Sequence, residues 1–196
     1  GNGRHDAAIA RVIEKGIGYL AITRFSEATS ADASAALAAL RQQGALEVLV
    51  LDLRNDPGGL VDQSIAVADQ FLDAGTIVSI RGRTSTENQT AHKGGLAVNV
   101  PVIALVDQGT ASAAEIIAGA LQDHDRALVV GDTTYGTGIV QTLFPLGPRP
   151  ALRSPTAPWY SPSGRSSQSP ARDSGIGADP RRVDRRGFRA DVGRPC

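Results

Sequence analysis

Ser112 stands inside the run Gly109 to Ala114 (Gly-Thr-Ala-Ser-Ala-Ala), directly after a strongly apolar stretch and before a segment with helical spacing. The small neighbouring side chains let a peptide backbone approach the hydroxyl, and free N–H groups at a helix start stabilise a developing oxyanion. These are the requirements for a serine nucleophile in acyl transfer. Serine is also a favoured N-cap residue, so a purely structural role for Ser112 stays open at this point.

A second loop, Asn55 to Gly59 (Asn-Asp-Pro-Gly-Gly), also follows an apolar stretch and precedes helical spacing. Its Pro-Gly-Gly sequence predicts a turn that exposes backbone N–H groups. Because ligand sites in α/β folds gather at the carboxyl ends of the strands, we expect this loop and the Ser112 loop to lie side by side. Together they would form an oxyanion hole.

The elements that position these loops alternate between strand and helix patterns. Strands are predicted at 17–25, 46–53, 76–80, 100–106, 127–130 and 139–144, and helices from Thr29 or Ser30 to Gly44, over 60–72 and over 112–122. Residues 82–99 are polar and predict a hairpin or surface loop. This order predicts an α/β fold with strand–helix–strand layers, in which helices cover a partly parallel sheet.

Composition narrows the class of protein. The 196 residues are 41% hydrophobic and 20% charged with no net charge, which is typical of a globular protein and gives no whole-chain reason to expect nucleic-acid binding. No apolar run is long enough for a transmembrane helix. The single Cys196 excludes a disulfide framework and a multi-cysteine zinc site. Because the chain begins at Gly1 and lacks methionine, we expect it not to be a complete translation product.

Charge and proline are unevenly distributed. Residues 1–146 carry 10 basic and 16 acidic side chains, whereas residues 147–196 carry 10 arginines, 4 aspartates and 8 of the 11 prolines. We therefore predict an N-terminal remnant at 1–16, a core domain at 17–146, and a largely irregular Arg/Pro-rich segment at 147–196. The last segment is interpreted as a solvated tail, with contact to an acidic partner as the alternative.

Four blocks of the sequence resemble, in the same order, the C-terminal processing peptidases, or tail-specific proteases, a family of serine endopeptidases. They are LDLRNDPGGL at 51–60, GTASAAEI at 109–116, AGALQD at 118–123 and GDTTYG at 131–136, continued by GIVQT at 138–142 and more faintly at 159–166. The resemblance implies a ClpP/crotonase-like fold, substrates that are unfolded proteins or C-terminal segments of proteins, no metal or organic cofactor, and a location in the periplasm or cell envelope. The PDZ domain usual in the family is expected to be missing, because about sixteen residues precede the first predicted core strand.

The resemblance also implies roles for individual residues. Ser112 occupies the nucleophile position, Gln141 the position that orients the base, and the N–H groups of Ala113 and of Gly58 or Gly59 the oxyanion hole. The family's general base is a lysine between two glycines, four residues before that glutamine. In this chain the base position is Thr137, within Gly136-Thr137-Gly138.

A threonine at the base position has a direct consequence for function. A serine hydroxyl is a weak nucleophile without an adjacent base, and a threonine hydroxyl cannot replace a lysine amine as that base. Thr137 is a natural loss, a deliberate inactivation or a sequence error, and the sequence does not place Lys15, Lys93 or a histidine beside Ser112. We therefore expect an impaired endopeptidase. The alternatives are an inactive module that binds unfolded or C-terminal segments, and a thioester enzyme on a crotonase-like scaffold.

Overall fold

A computed structural model describes residues 7–145 and 151–166 of the chain. In these parts the strands are β1 (Ala8–Glu14), β2 (Ile17–Ile22), β3 (Val48–Asp52), β4 (Thr76–Arg81), β5 (Thr86–Thr90), β6 (Val102–Val106), β7 (Ala127–Gly131), β8 (Ile139–Pro145) and β9 (Ala151–Tyr160). The helices are α1 (Thr29–Gln42), α2 (Val61–Ala68) and α3 (Ala113–Asp123). This alternation confirms the predicted α/β fold.

The described strands form two sheets. The first has the order β1-β2-β3-β6-β7, and its β2, β3, β6 and β7 pair in parallel, while β1 is antiparallel to β2. The second has the order β5-β4-β9-β8 and is antiparallel. Parallel strands end at the same edge of a sheet. The connections 53–60, 107–112 and 132–138, which follow β3, β6 and β7, therefore all start from one edge of the first sheet.

Helix α3 fixes the position of the residue in front of it. Its side chains are apolar on nearly every face, and Ala113, Ile117 and Leu121 are fully buried. The helix contacts both β7 of the first sheet and β4 of the second. A helix that is apolar all round belongs in a core. Its N-terminal end, where Ser112 lies, is consequently anchored by packing along the helix.

The other two helices follow their predicted patterns with one difference in length. Helix α1 buries Ala33, Leu37 and Leu40 and gives way to Gly44, which has a φ of 65° as a C-terminal glycine should. Helix α2 was expected over 60–72 but ends at Ala68. The apolar spacing continues past it because Phe71, in the following turn, is also fully buried.

Residues 82–99, predicted as a hairpin or surface loop, contribute one arm of a hairpin, and the prediction of an N-terminal remnant is partly corrected. Strand β5 lies within 82–99 and pairs antiparallel with β4. The expectation that residues 1–16 are only a remnant is wrong for Ala8–Glu14, which form β1 against β2 across a turn at Gly16 with a φ of 80°. Most of β1 is exposed, so it lacks the apolar alternation by which strands are found in a sequence. Residues 1–6 lie outside the described residues.

The expectation that residues 147–196 are largely irregular is wrong for Ala151–Tyr160. These residues form β9, which contains two of the prolines on which that expectation rested, Pro155 and Pro158. Proline is tolerated where a strand has a partner on one side only. Strand β9 pairs with β8 along its length but with β4 only at Trp159 and Tyr160, beyond both prolines. Residues 146–150 and 167–196 lie outside the described residues, and the predicted boundary near 146 stays a prediction.

Trp159 ties β9 to the rest of the protein. Its side chain is 1% exposed, and its indole Nε1–H donates to the carbonyl of Thr137 at 3.1 Å. Replacing it with phenylalanine keeps most of the apolar burial but leaves that carbonyl without its donor. We expect Trp159→Phe to lower the free energy of unfolding by about 1–2 kcal/mol, measured by urea denaturation and circular dichroism. The neighbouring Tyr160→Phe is the control, and equal stability of both variants would contradict the prediction.

Candidate active site

The two loops that contain Asn55 and Ser112 are joined by hydrogen bonds. Asp107 Oδ1 accepts the N–H groups of Asn55 and of Gly109, each at 2.9 Å. The N–H of Ala111 donates to the carbonyl of Asp56, also at 2.9 Å. A hydrogen bond to the Asp107 carboxylate and a hydrogen bond between two peptide groups therefore hold the loops side by side. Their positions after two parallel strands predict this arrangement.

Ser112 has an uncommon backbone conformation. Its φ is 53° and its ψ is −116°, and it lies half-buried immediately before the first residue of α3. An ordinary N-cap residue has a β-region backbone, so capping alone does not explain this geometry. Positive φ in a non-glycine residue costs free energy and is found at functional turns. Ser112 thus makes a strained turn between β6 and α3.

Gly58 packs against this turn more closely than any other residue type allows. A Cβ atom at Gly58 would lie 2.6 Å from the carbonyl oxygen of Ala111, 2.8 Å from the nitrogen of Ala113 and 2.9 Å from Ser112 Cβ. Its φ is 89°, which also favours glycine. The second loop therefore brings its backbone into direct contact with the serine.

Three backbone N–H groups near Ser112 are expected as oxyanion donors, and in the structure they differ in whether they already have a hydrogen-bond partner. The N–H of Gly58 is already donated to Asp56 Oδ1 at 2.8 Å. The N–H groups of Gly59 and Ala113 have no hydrogen-bond partner among the described residues. Of these two glycines, Gly59 is thus the one whose N–H is unpaired among the described residues, and its role as an oxyanion donor stays a prediction.

Glu115 connects the serine turn to the segment that contains Thr137. Its carboxylate is buried and accepts four hydrogen bonds, from the N–H of Ser112, the hydroxyl of Thr134 and the N–H groups of Gly136 and Thr137, all at 2.7–2.8 Å. Ser112 N and Thr137 N each lie 2.8 Å from the same Oε2 atom, so the two nitrogens are at most 5.6 Å apart. Burial raises the pKa of Glu115, and the four hydrogen bonds oppose that effect.

Sequence reasoning did not single out Glu115, although a signal was present. Ser112 and Glu115 have the Ser-x-x-Glu spacing of a capping box, in which the glutamate accepts the N–H of the N-cap residue. That bond is present here. The spacing predicts one of the four contacts; the other three come from residues 19 to 22 positions later.

Asp56 is the second buried acid beside the turn. Its side chain is 0% exposed, and burial raises its pKa to about 7, with the hydrogen bond from Gly58 opposing the rise. Its Oδ2 atom is the one buried side-chain polar atom among the described residues that has no hydrogen-bond partner. A buried carboxylate oxygen without a donor strongly disfavours the charged form.

Asp52, at the end of β3, anchors the start of the same loop. Arg54 contacts its carboxylate through Nε at 3.0 Å and through Nη2 at 2.7 Å, and the hydroxyl of Tyr19 donates to it at 2.7 Å. Burial raises the pKa of Asp52, but the donors from Arg54 and Tyr19 outweigh it and lower the pKa below its usual value. Asp52 is consequently charged at neutral pH and stabilises the turn into the loop.

Comparison with known proteins identifies the family of the chain. The sequence profile of peptidase family S41 matches residues 16–179. The chain belongs to peptidase family S41. It is 46% identical over 178 residues to a carboxy-terminal-processing protease of Bartonella bacilliformis and 40% identical over 146 residues to a carboxyl-terminal-processing protease of Synechocystis. These matches cover 88% and 74% of this chain but 40% and 34% of the relatives, so the chain spans about two fifths or less of their length.

A solved structure supports the same S41 assignment. The photosystem II D1 C-terminal processing protease superposes with a TM-score of 0.71 at 33% identity, over 80% of this chain and 41% of that protein. The resemblance to C-terminal processing peptidases seen in the sequence blocks is thereby confirmed, as is the layered α/β core. Membership of a peptidase family also argues against the thioester-enzyme alternative.

The structure brings the backbones of Ser112 and Thr137 together at Glu115, but it does not describe the side chain of Gln141. Gln141 lies in β8, opposite Pro155 of β9, and its side chain lies outside what the structure describes. Its role stays a prediction. The two histidines within the described residues have other partners, because the ring of His124 contacts the carbonyl of Thr76 and that of His92 contacts Asp69.

The described residues contain no helix long and apolar enough to cross a membrane. Within the same residues, no group of three or more histidine, cysteine, aspartate or glutamate side chains is placed to bind a metal ion.

The hydrogen bonds of Glu115 yield a stability prediction. In Glu115→Gln one carboxylate oxygen becomes an amide NH2, which faces N–H donors instead of accepting from them. We expect the free energy of unfolding to fall by about 1–3 kcal/mol in urea denaturation at pH 8. Glu27→Gln removes an exposed charge and serves as the control. If the Glu115 variant unfolds at the same urea concentration as the control, the shared carboxylate does not stabilise the site.

Proposed function

We propose that this chain is the core of a serine endopeptidase of the C-terminal processing type in which Ser112 is the nucleophile. The observation that carries the proposal is the Ser112 turn, with its strained backbone, its contact with Gly58 and the unpaired N–H of Ala113 beside it. Two free N–H groups next to a serine hydroxyl suit acyl transfer, because they stabilise the negative charge that develops on the substrate carbonyl oxygen.

The reaction follows from these positions. Ser112 Oγ attacks the carbonyl carbon of the scissile peptide bond, its proton passes to a base, and the carbonyl oxygen becomes an oxyanion near Ala113 N–H and Gly59 N–H. Collapse of this intermediate expels the amine with a proton and leaves an ester on Ser112. Water then hydrolyses the ester and regenerates the serine.

We propose further that turnover is impaired because Thr137 stands at the position of the base. The Thr137 N–H shares the Glu115 carboxylate with the Ser112 N–H, which supports its place in the site. A lysine side chain there would extend toward the serine hydroxyl and accept its proton in the neutral form, whereas the threonine hydroxyl is far too weak a base.

The proposed substrates are unfolded proteins or the C-terminal segments of proteins, by analogy with relatives named carboxyl-terminal-processing proteases. A location in the periplasm or cell envelope is proposed on the same family basis. A second candidate function is a binding module that captures such segments without cutting them. The specific observation that favours it is Thr137 in an otherwise intact arrangement of loops and N–H groups.

An activated substrate tests the nucleophile separately from the missing base. A peptide p-nitrophenyl ester has a leaving group that departs without being protonated, so it acylates a positioned serine even where a peptide bond is not cut. We expect mass spectrometry to find an acyl group on Ser112 and no acylation of Ser112→Ala. Ser30→Ala, in helix α1, is the matched control. Equal acylation of the Ser112→Ala variant would refute the proposed function.

A further inference from the structure

We propose that Asp56 is a positioning residue that directs the Gly58 N–H into the protein and leaves the Gly59 N–H as this loop's donor to the oxyanion. The inference rests on the proposed function, because it concerns the oxyanion formed at Ser112. It assigns different tasks to two adjacent glycines that the sequence makes equivalent.

The inward direction of the Gly58 N–H follows from its partner. An N–H group has one hydrogen, and that of Gly58 is donated to Asp56 Oδ1 at 2.8 Å. Both residues are buried, so this hydrogen is directed away from solvent and from an approaching substrate. Gly58 nevertheless touches the Ser112 turn through its Cα, where a Cβ would lie 2.9 Å from Ser112 Cβ. Gly58 therefore serves the site by letting the backbone of its loop lie close to the Ser112 turn.

The opposite direction of the Gly59 N–H follows from its neighbours in the chain. The carbonyl of Gly58 accepts the N–H of Phe25, and the N–H of Leu60 donates to the carbonyl of Phe25, both at 2.9 Å. The carbonyl of Gly58 and the N–H of Gly59 belong to one planar trans peptide group, in which they point in opposite directions. The N–H of Gly59 therefore points away from Phe25. It has no partner among the described residues, and Gly59 is exposed.

The second carboxylate oxygen of Asp56 shows that the side chain acts on the Gly58 N–H alone. Oδ2 is buried without a partner, so the side chain contributes one acceptor, Oδ1, to one backbone donor. Burying the carboxylate costs desolvation free energy, and Oδ2 makes no hydrogen bond that would offset this cost. An asparagine side chain, which offers the same acceptor without a charge, would therefore serve the same purpose, whereas alanine would release the Gly58 N–H.

Nuclear magnetic resonance of the whole chain tests the proposal. The ligand-free measurement is amide hydrogen exchange, in which Gly58 is expected to be protected and Gly59 to exchange rapidly. The second measurement is a titration with a peptide boronic acid, whose tetrahedral adduct on Ser112 resembles the charged intermediate. We expect the amide proton resonances of Gly59 and Ala113 to move downfield on adduct formation, while that of Gly58 stays in place.

Variants separate positioning from stability. Asp56→Asn is expected to retain the protection of Gly58 and the affinity for the boronate. Asp56→Ala is expected to lose the protection and to weaken boronate binding by about tenfold or more, at temperatures where circular dichroism shows that it is folded. Asp62→Ala, an exposed aspartate at the start of α2, is the matched control and should change neither measurement.

The outcomes distinguish this inference from the function on which it rests. A Gly58 resonance that shifts with the boronate, or fast exchange of Gly58 in the parent chain, would overturn the role of Asp56 even if the adduct forms on Ser112. A protected Gly58 together with no adduct on Ser112 would confirm the direction of the N–H and overturn the proposed function, and with it the oxyanion role of Gly59.

Discussion

Replacing Thr137 with lysine is expected to raise the single-turnover rate of cleavage of an unfolded polypeptide by about 10²–10⁴-fold. The reason is that the parent chain has N–H groups beside Ser112 but a threonine, which is not a base, at the proposed base position. Thr137 is half-buried, and a lysine desolvated at such a position has a lowered pKa. Because the neutral amine is the base, the gain should increase as the pH rises from 6 to 9.

Two control variants make this prediction specific. Thr137→Arg introduces a side chain of similar length that stays protonated at every accessible pH, so it should give no gain. Adding Ser112→Ala to Thr137→Lys should abolish the gain. If the parent chain already cleaves rapidly through Ser112, the argument from the missing base is wrong. If folded Thr137→Lys binds the polypeptide without cutting it, the binding-module function is favoured.

Asp56→Asn is expected to make the protein more stable than the parent above neutral pH. The pKa of Asp56 is raised to about 7 in the folded state and lies near 4 in an unfolded chain. Between these two pH values the Asp56 carboxyl is protonated in the folded state and ionised in the unfolded state. The free energy of unfolding is therefore highest below pH 4, and it falls as the pH rises through 7 because Asp56 must then ionise inside the protein. A difference of about three pH units corresponds to at most about 4 kcal/mol.

The measurement compares urea unfolding of the two proteins at several pH values. The stability difference in favour of Asp56→Asn should be largest at pH 8 and should shrink steadily toward pH 4. The comparison isolates Asp56, because Glu115 and Asp52 are present in both proteins. Asp62→Asn is the control and should show no such trend. A stability difference that does not depend on pH would mean that Asp56 is charged in the folded state at no cost.

The sequence predicted those parts of the fold that have a regular apolar pattern. Buried strands such as β3 and β6 and the apolar helix α3 appear near their expected positions, because their burial dictates their composition. Strand β1 was missed because its outer residues are exposed, and β9 because its prolines look disruptive when only local pattern is considered. The pairing that makes those prolines acceptable depends on which strands flank β9, and no local pattern contains that information.

Individual residues of the candidate site could be predicted from the sequence only where they stand in a recognised motif. Ser112 and Thr137 were found from the family's blocks, and the structure places their N–H groups on one carboxylate. The contribution of Glu115 depends on a loop that returns from 19 to 22 residues further along the chain. The difference between Gly58 and Gly59 depends on the direction of single N–H bonds, which identical residue types cannot reveal.

The position of Trp159 has a consequence for the order in which the protein becomes complete during synthesis. The backbone carbonyl of Thr137 is bound by the indole of Trp159, and β9 is paired with β4 across 81 positions, from Ser79 to Tyr160. A nascent chain that already contains Ser112 and Glu115 therefore lacks the side chain that secures the segment opposite them. The contacts that hold the Thr137 segment and β9 in place are therefore completed late, after residue 160 has been released from the ribosome.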